Sequence, residues 1–248
     1  MKRTLRTLVI VGCTLGVAGV AFAQTVDQHR FILTANAGIH SLAASRTDTV
    51  TFDLHAETGT LETTQSIGPD PMFDGGAAVR VSRQAAVGVA VSYAQGQTDA
   101  TIDALIPHPF FFDFHRQAQG TASDLAHREL GIHLQGQFWI PLSPSILLTL
   151  SGGPTYFNAA RDLVMEITPV EVGFPFDEVD IASHTTTRIS KNALGYNVGV
   201  DLAYFLSDRI GLGFTTRYSR ATSDVDLEGA PPLKLGGLHT VAGVRVGF

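Results

Sequence analysis

The chain has 248 residues, a formal net charge of −6, 25 glycines and one cysteine. The acidic balance excludes a nucleic-acid-binding protein, which needs a basic stripe or patch, so no nucleic-acid partner is expected. One cysteine allows neither an internal disulfide nor a cysteine-based metal site, and no stretch after residue 23 has the twenty or so apolar residues of a helical membrane span.

The first 23 residues have the three parts of a secretory signal peptide. The basic part contains three cations, which are Lys2, Arg3 and Arg6. Residues 8–21 are apolar, and a small-x-small motif ends at Ala23. We expect cleavage between Ala23 and Gln24, which leaves residues 24–248 as one domain with a net charge of −6 − 3 = −9. The alternatives are a membrane anchor, for which the segment is short, and a lipoprotein signal at Cys13, beyond which the apolar run continues.

Eight segments after the signal alternate with a period of two between apolar residues and small or polar residues. In residues 193–206, for example, Tyr196, Val198 and Val200 share one face, and Asn197 lies on the other. This pattern predicts a strand with a different solvent on each side. The candidate strands are residues 30–43, 73–82, 86–97, 129–140, 146–157, 193–206, 210–219 and 235–248.

Short and long connections alternate between these strands. The short ones are turns near Arg83, Ser143 and Asp208. The long ones are residues 45–71, 98–126, 158–190 and 220–234. Residues 49–55 also alternate, but we assign them to the first long connection because bacterial membrane barrels have an even number of strands.

Aromatic residues on the apolar faces lie at the strand ends. Those beside the short turns or the chain ends are Phe31, Phe138, Tyr204 and Phe248. Those beside the long connections are Tyr93, Tyr156, Tyr196 and Tyr218. Eight residues of tilted strand cover roughly 20 Å of the membrane normal, close to the ~25 Å apolar band between the two aromatic girdles of a membrane barrel.

The last strand, residues 235–248, alternates to its end and finishes on Phe248. With the loop alternation and the girdles, this ending resembles that of bacterial outer-membrane β-barrels of the small OmpA/OmpX type, without a peptidoglycan-binding domain. The resemblance implies an all-β fold, an eight-stranded antiparallel up-and-down transmembrane β-barrel with short periplasmic turns and long extracellular loops. It also implies the cell outer membrane as location, outer-membrane lipid as solvent, and the barrel assembly machinery as a partner that reads the C-terminal strand. A soluble barrel or sandwich with its apolar faces inward is the alternative.

The inward faces carry charged and polar residues that we expect to form a network in the lumen. Its members are Arg80, His133, Asp201, Arg217 and Arg245. The interior of an eight-stranded barrel is just wide enough for side chains to fill, and buried charges need partners. Asp201, Arg217 and Arg245 lie on consecutive strands, which suggests an ionic cluster and a plugged lumen. A selective pore for small solutes is the alternative.

The second long connection contains a cluster of four phenylalanines around one aspartate. These are Phe110, Phe111, Phe112 and Phe114. The third has a smaller counterpart at residues 174–177. The two connections could bind a surface ligand, dip into lipid, or pack on each other as a lid.

Motifs of catalysis and of cofactor binding are not found. His108 and His115 lie seven apart in a proline-rich connection, which is no metal-ligand signature, so no metal or cofactor is expected. His108, Asp113 and His115 could meet Ser183 and His184 as in an outer-leaflet lipid enzyme, but no spacing requires it. We therefore expect a non-enzymatic outer-membrane barrel with a structural or surface-interaction role, and a small-solute transport barrel as the alternative.

Overall fold

A computed structural model describes residues 29–224 and 232–248, except for the side chains of residues 42–44. The predicted cleavage site at Ala23 and Gln24 lies outside the described residues. Within them, no helix is long and apolar enough to cross a membrane. The strands are β1 (Phe31–Leu54), β2 (Glu57–Arg80), β3 (Ala85–Pro107), β4 (His115–Ser143), β5 (Ile146–Glu171), β6 (Val179–Phe205), β7 (Ile210–Ser223) and β8 (Leu233–Gly247).

The eight strands form a closed antiparallel barrel in chain order. Each strand pairs with its sequence neighbours, and β1 pairs with β8, for instance at Ile32 opposite Gly247 and His40 opposite His239. Closure leaves no unpaired edge in the barrel wall. Beyond the wall, among the described residues, residues 44–54 of β1 pair only with β2, and residues 179–194 of β6 pair only with β5. The predicted fold class is therefore confirmed, including the number of strands and their up-and-down order.

Alternation along each strand separates two faces of different chemistry. On β3, Val87, Val89 and Val91 are 45–47% exposed on the outside, whereas Ala90 and Ser92 are buried inside. If water surrounded the barrel, these three outward valines would stay half exposed, and the barrel would gain little of the free energy that burial of their side chains provides. The barrel thus has an apolar outer wall and a largely polar interior.

The long connections differ from the predicted loops. Residues 45–54, 57–71, 98–107 and 115–126 are continuous with β1 to β4, and β5 and β6 are extended in the same way. Residues 49–54, predicted as part of a loop, are instead the far end of β1 and form no ninth strand, and residue 55 begins the turn to β2. Of the first three long connections, only residues 55–56, 108–114 and 172–178 remain between the paired strands.

The strand extensions hold because they enclose a second apolar core beyond the barrel wall. Its buried members are Leu61, Ala100, Ile102, Ala104, Ile106, Ala118, Ala122, Leu125, Val164, Ile167 and Val179. Val50, Phe52 and Leu54 of β1 pack against it. The threonine-rich outer faces of these segments suggested loops, but their inner faces carry the alternating apolar residues of a half-buried sheet.

All eight predicted girdle aromatics project from the outer wall. They are Phe31, Tyr93, Phe138, Tyr156, Tyr196, Tyr204, Tyr218 and Phe248, and each is exposed. Phe138 lies opposite Ala85, the first residue of β3, and Tyr204 lies next to the end of β6. At the same rim the rings of Phe31 and Phe248 are 6.3 Å apart.

Candidate functional site

Arg245 is the centre of a network of polar side chains in the lumen. The side chain is buried, and its guanidinium donates to the Asp201 carboxylate. It also donates to Asn36 Oδ1 at 2.5 Å and to Thr215 Oγ1 at 2.8 Å, and Thr215 in turn donates to Asp201 at 2.7 Å. Strands β1, β6, β7 and β8 are therefore joined around one cation, which gives the buried charge the partners it needs.

Arg217 pairs with Asp74, and not with Asp201 as the order of strands suggested. Arg217 Nη1 donates to Asp74 Oδ2 at 2.7 Å, and Asn36 Nδ2 donates to Asp74 Oδ1 at 2.9 Å. Asp74 was missed in the sequence, although it shares the inward parity of Arg80 on the same strand. Asn36 links the two ion pairs, because it contacts both Asp74 and Arg245.

His133 and Arg80 make separate contacts of their own. His133 is held by two hydroxyl groups, Ser92 Oγ and Thr155 Oγ1, each 2.9 Å from a ring nitrogen. Arg80 lies over the ring of Trp139, with 4.9 Å between Cζ and the ring centroid. The structure thus brings together Asp201 and Arg245 of the five predicted lumen residues, and distributes the other three among separate contacts.

An apolar layer lies below the ionic network, near the short turns. Its members are Ile32, Ala78, Ala86, Trp139, Leu147, Ala203 and Phe205. Trp139 is buried, and its indole N–H donates to Gln137 Oε1 at 2.9 Å. Between this layer and the arginines is a cavity of about 60 Å³, which has room for roughly two water molecules at their volume in liquid water.

At the opposite end, the β3–β4 tip is organised around His108. The imidazole is buried, and its Nδ1 accepts hydrogen bonds from the backbone N–H groups of Phe110 at 3.1 Å and Phe111 at 3.2 Å. The ring of Phe111 is centred 4.8 Å from that of His108. His108 therefore has a structural role here, since it fixes the backbone from which the phenylalanines project.

Polar contacts connect the β1–β2, β3–β4 and β5–β6 hairpins at this end of the barrel. Arg116 donates to both oxygens of Glu171, and to the carbonyl oxygen of Phe176 at 2.7 Å. The hydrogen bonds from Arg116 hold the pKa of the Glu171 carboxyl below its ordinary value, so the carboxylate remains charged and paired at neutral pH. Glu57, beside the β1–β2 turn, accepts from the backbone N–H of Asp113 at 2.7 Å.

Five phenylalanine rings remain exposed on this connected frame. Phe110 contacts Phe176 across the two tips, with 5.6 Å between ring centroids, so the second and third connections pack on each other. The five rings are 47–88% exposed, and they belong to Phe110, Phe111, Phe112, Phe114 and Phe174. The contact between the tips therefore does not bury the aromatic cluster, which faces the surroundings.

Solved outer-membrane proteins resemble this fold at low sequence identity. Neisserial surface protein A is 14% identical with a TM-score of 0.47, and the match covers 88% of this chain and 97% of that chain. OprG from Pseudomonas aeruginosa is 13% identical with a TM-score of 0.46, covering 92% and 99%. The protease OmpT from Escherichia coli is 10% identical with a TM-score of 0.48, covering 93% and 99%. No family model and no curated protein matches the sequence.

The wall of the barrel decides what kind of molecule this is. The outward residues of the wall are valine, leucine and aromatic residues, and the ion pairs lie inside. Within the wall the closed sheet pairs the backbone of each strand with both neighbours, as a lipid solvent requires. The protein is a transmembrane β-barrel of the bacterial outer-membrane type. The extended hairpins lie on the side opposite the short turns.

Proposed function

We propose that this outer-membrane barrel is a surface-interaction protein that binds apolar partner surfaces through its hairpin tips. The observation that carries the proposal is the set of five exposed phenylalanines on a frame fixed by His108 and the Arg116–Glu171 pair. Contiguous apolar side chains held in water mark interaction sites. A tip that is already ordered also loses little conformational entropy when it binds.

The triple variant Phe110→Ser, Phe111→Ser, Phe112→Ser should reduce the apolar adhesion of cells that display the protein. Removing three exposed rings removes most of the apolar area available to a partner. Partition of intact cells into hexadecane measures this directly, and we expect the variant to approach cells that lack the protein. The matched control is Leu105→Ser, an exposed apolar residue on the flank of the same hairpin, which should leave partition unchanged. Equal partition of wild type and triple variant would contradict the proposal.

We further propose that the lumen is plugged and that transport is not the function. Two layers of side chains in the lumen support the proposal. One is the apolar layer around Trp139, and the other contains the ion pairs of Arg217 and Arg245. An eight-stranded barrel leaves little interior space beyond its own side chains.

Purified protein in planar bilayers should accordingly give no stable conductance. The Trp139→Ala, Phe205→Ala variant removes the two large rings of the apolar layer and tests whether the ion pairs alone keep the lumen closed, which we expect. Reproducible single-channel steps from the wild-type protein would favour the transport alternative.

We infer that the protein is not an enzyme. A histidine–carboxylate pair of the kind found in hydrolases is His127 beside Asp70, with 2.6 Å between Nε2 and Oδ2. The other ring nitrogen, Nδ1, is buried and makes no hydrogen bond within residues 29–224 and 232–248. A general base must reach the proton that it abstracts, and this nitrogen is closed off from solvent. Hydrolysis of peptides or phospholipid vesicles that is lost in His127→Gln would overturn the inference.

The closing strand is proposed to bind the barrel assembly machinery through Phe248. Its ring is exposed at the rim, while its backbone N–H donates to the carbonyl oxygen of Phe31 at 2.8 Å. Phe248→Ala should lower the amount of folded protein in cell membranes. The free energy of unfolding of the refolded protein should change by less than about 1 kcal/mol, because an exposed ring contributes little.

The control for this experiment is Phe31→Ala, which removes the neighbouring ring of the same rim without changing the closing strand. Phe31→Ala should assemble normally. Normal membrane levels of Phe248→Ala would show that the closing aromatic is not read during assembly.

A further inference from the structure

Three potential metal ligands from opposite walls of the barrel meet in the part of the lumen farther from the short turns. His40 of β1 and His239 of β8 lie opposite each other in the sheet, and Glu129 reaches them from β4. One ligand atom from each of the three residues lies within 4.8 Å of the others. The three are far apart in sequence, so no spacing motif could reveal them.

The two histidines each present a buried nitrogen without a partner. His40 is 3% exposed and His239 is 2% exposed. In the described part of the chain, His40 Nε2 and His239 Nδ1 make no hydrogen bond. Buried polar atoms without a partner are rare in folded proteins, and each needs a physical reason. A cation between the rings would supply one, because it would accept both lone pairs.

Outer contacts orient the ligands in the way that metal sites require. Ser219 Oγ lies 3.1 Å from His239 Nε2, which leaves the Nδ1 side of that ring for another partner. The backbone N–H of Gly236 donates to Glu129 Oε1 at 3.2 Å and to Oε2 at 3.0 Å. Gly236 has a φ of 82°, and a Cβ there would collide with the backbone of Ser219. In metal sites, hydrogen bonds from surrounding groups to the ligands fix the orientation of the imidazole rings and carboxylates.

The spacing is slightly wider than that of a bound site. His40 Nε2 and Glu129 Oε1 are 3.9 Å apart. Nitrogen and oxygen ligands lie ~2.0–2.2 Å from Zn²⁺, so tetrahedral ligands are about 3.3 Å from each other. Side-chain rotations that move ligand atoms by less than an ångström each would close the gap. A cavity of about 10 Å³ lined by His40 and Glu129 adjoins the cluster, enough for one water as a fourth ligand.

Two arginines lie near the cluster, and each has a carboxylate close by. Arg217 lies opposite His239 in the sheet and is paired with Asp74 at 2.7 Å. Arg161 lines the same cavity and carries a positive charge towards Glu129. Asp70 also lines this cavity, and its carboxylate offsets the charge of Arg161. Two imidazoles and one carboxylate suit Zn²⁺ and similar transition metals, whereas Ca²⁺ and Mg²⁺ prefer sites made only of oxygen ligands.

We propose that His40, His239 and Glu129 form a binding site for a divalent transition-metal ion, with Zn²⁺ as the best match. The ion joins β4 to β1 and β8 across the lumen, because β4 and β8 lie on opposite sides of the ring. Such a crosslink stabilises the folded barrel, since a ligand that binds only the native state shifts the folding equilibrium by mass action.

Titration of chelator-treated, refolded full-length protein with Zn²⁺ tests the site. We expect saturable binding of one ion per chain and a rise in the unfolding midpoint with Zn²⁺. Co²⁺ in place of Zn²⁺ should give the visible absorption of a four-coordinate ion. Glu129→Gln keeps an oxygen acceptor for the Gly236 N–H but removes the charge, and should weaken binding by at least about tenfold, the scale seen when metal sites lose a supporting group.

Two further variants make the result decisive. His40→Ala should abolish the Co²⁺ absorption, whereas His115→Ala, an exposed histidine at the hairpin tip, should leave affinity and stoichiometry unchanged. Absence of saturable binding in the wild type would overturn the proposal. So would binding that survives in Glu129→Gln and His40→Ala, or binding that is lost in His115→Ala, since either would place the ion elsewhere.

Discussion

Replacing Asp74 with alanine is expected to lower the free energy of unfolding by about 3–5 kcal/mol, the usual loss when one partner of a buried ion pair is removed. The Asp74 and Arg217 side chains are 2% and 6% exposed, and their contact is 2.7 Å. Arg217 Nε makes no hydrogen bond among the described residues, so little remains to hold the guanidinium. Urea unfolding of the protein refolded into lipid vesicles measures the loss.

Two companion variants separate charge burial from loss of a carboxylate. Asp103→Ala removes an exposed carboxylate that accepts a hydrogen bond from Gln119 at 2.7 Å, and should change stability by no more than about 0.5 kcal/mol. The double variant Asp74→Ala, Arg217→Met should recover most of the stability, because the unpaired cation is gone. A loss below about 1 kcal/mol for Asp74→Ala would mean that the lumen solvates Arg217 without a counterion.

Replacing Val200 with arginine is the second large expected effect. Val200 lies on the outer face of β6, midway between the girdle residues Tyr196 and Tyr204. An arginine at the middle of the lipid-facing wall of a barrel costs ~2–4 kcal/mol. We expect poor insertion in cells and a corresponding drop in the unfolding free energy of the refolded protein.

The matched control is Leu194→Arg, on the same face of the same strand but beyond Tyr196. Because the cost of arginine falls to ~0–1 kcal/mol near the membrane interface, this variant should fold. Equal tolerance of both arginines would mean that β6 is placed wrongly in the membrane. Asn197→Ala, which alternation alone predicts to be harmless, is unsuitable as a control, because Asn197 is buried and donates to Thr155 Oγ1 at 2.9 Å.

The outer wall could be read from the sequence because its signal is local. Tyr196, Val198 and Val200 alternate with Asn197 whatever the rest of the chain does, and period two assigns each to a face. The strand number followed from the same alternation and from the short turns. The extensions of β1 to β6 were missed as strands because their outer faces are polar, so the apolar inner positions such as Leu61 and Ile102 stood out less.

The lumen could not be read in the same way. Alternation determines that Asp74, Asp201, Arg217 and Arg245 point inward, yet it does not determine which of them meet. Asp201 reaches Arg245 from a strand that is not its neighbour, and Arg217 reaches Asp74 across β1 and β8.

By itself, the sequence determined an eight-stranded membrane barrel, because facing lipid or lumen depends only on parity along each strand. Only the tertiary structure showed which inward charges pair. It also showed that the hairpin tips contact one another and that His40, His239 and Glu129 lie close together. These contacts join residues distant in the chain, and the tilt and stagger of the closed sheet set which of them lie at the same height.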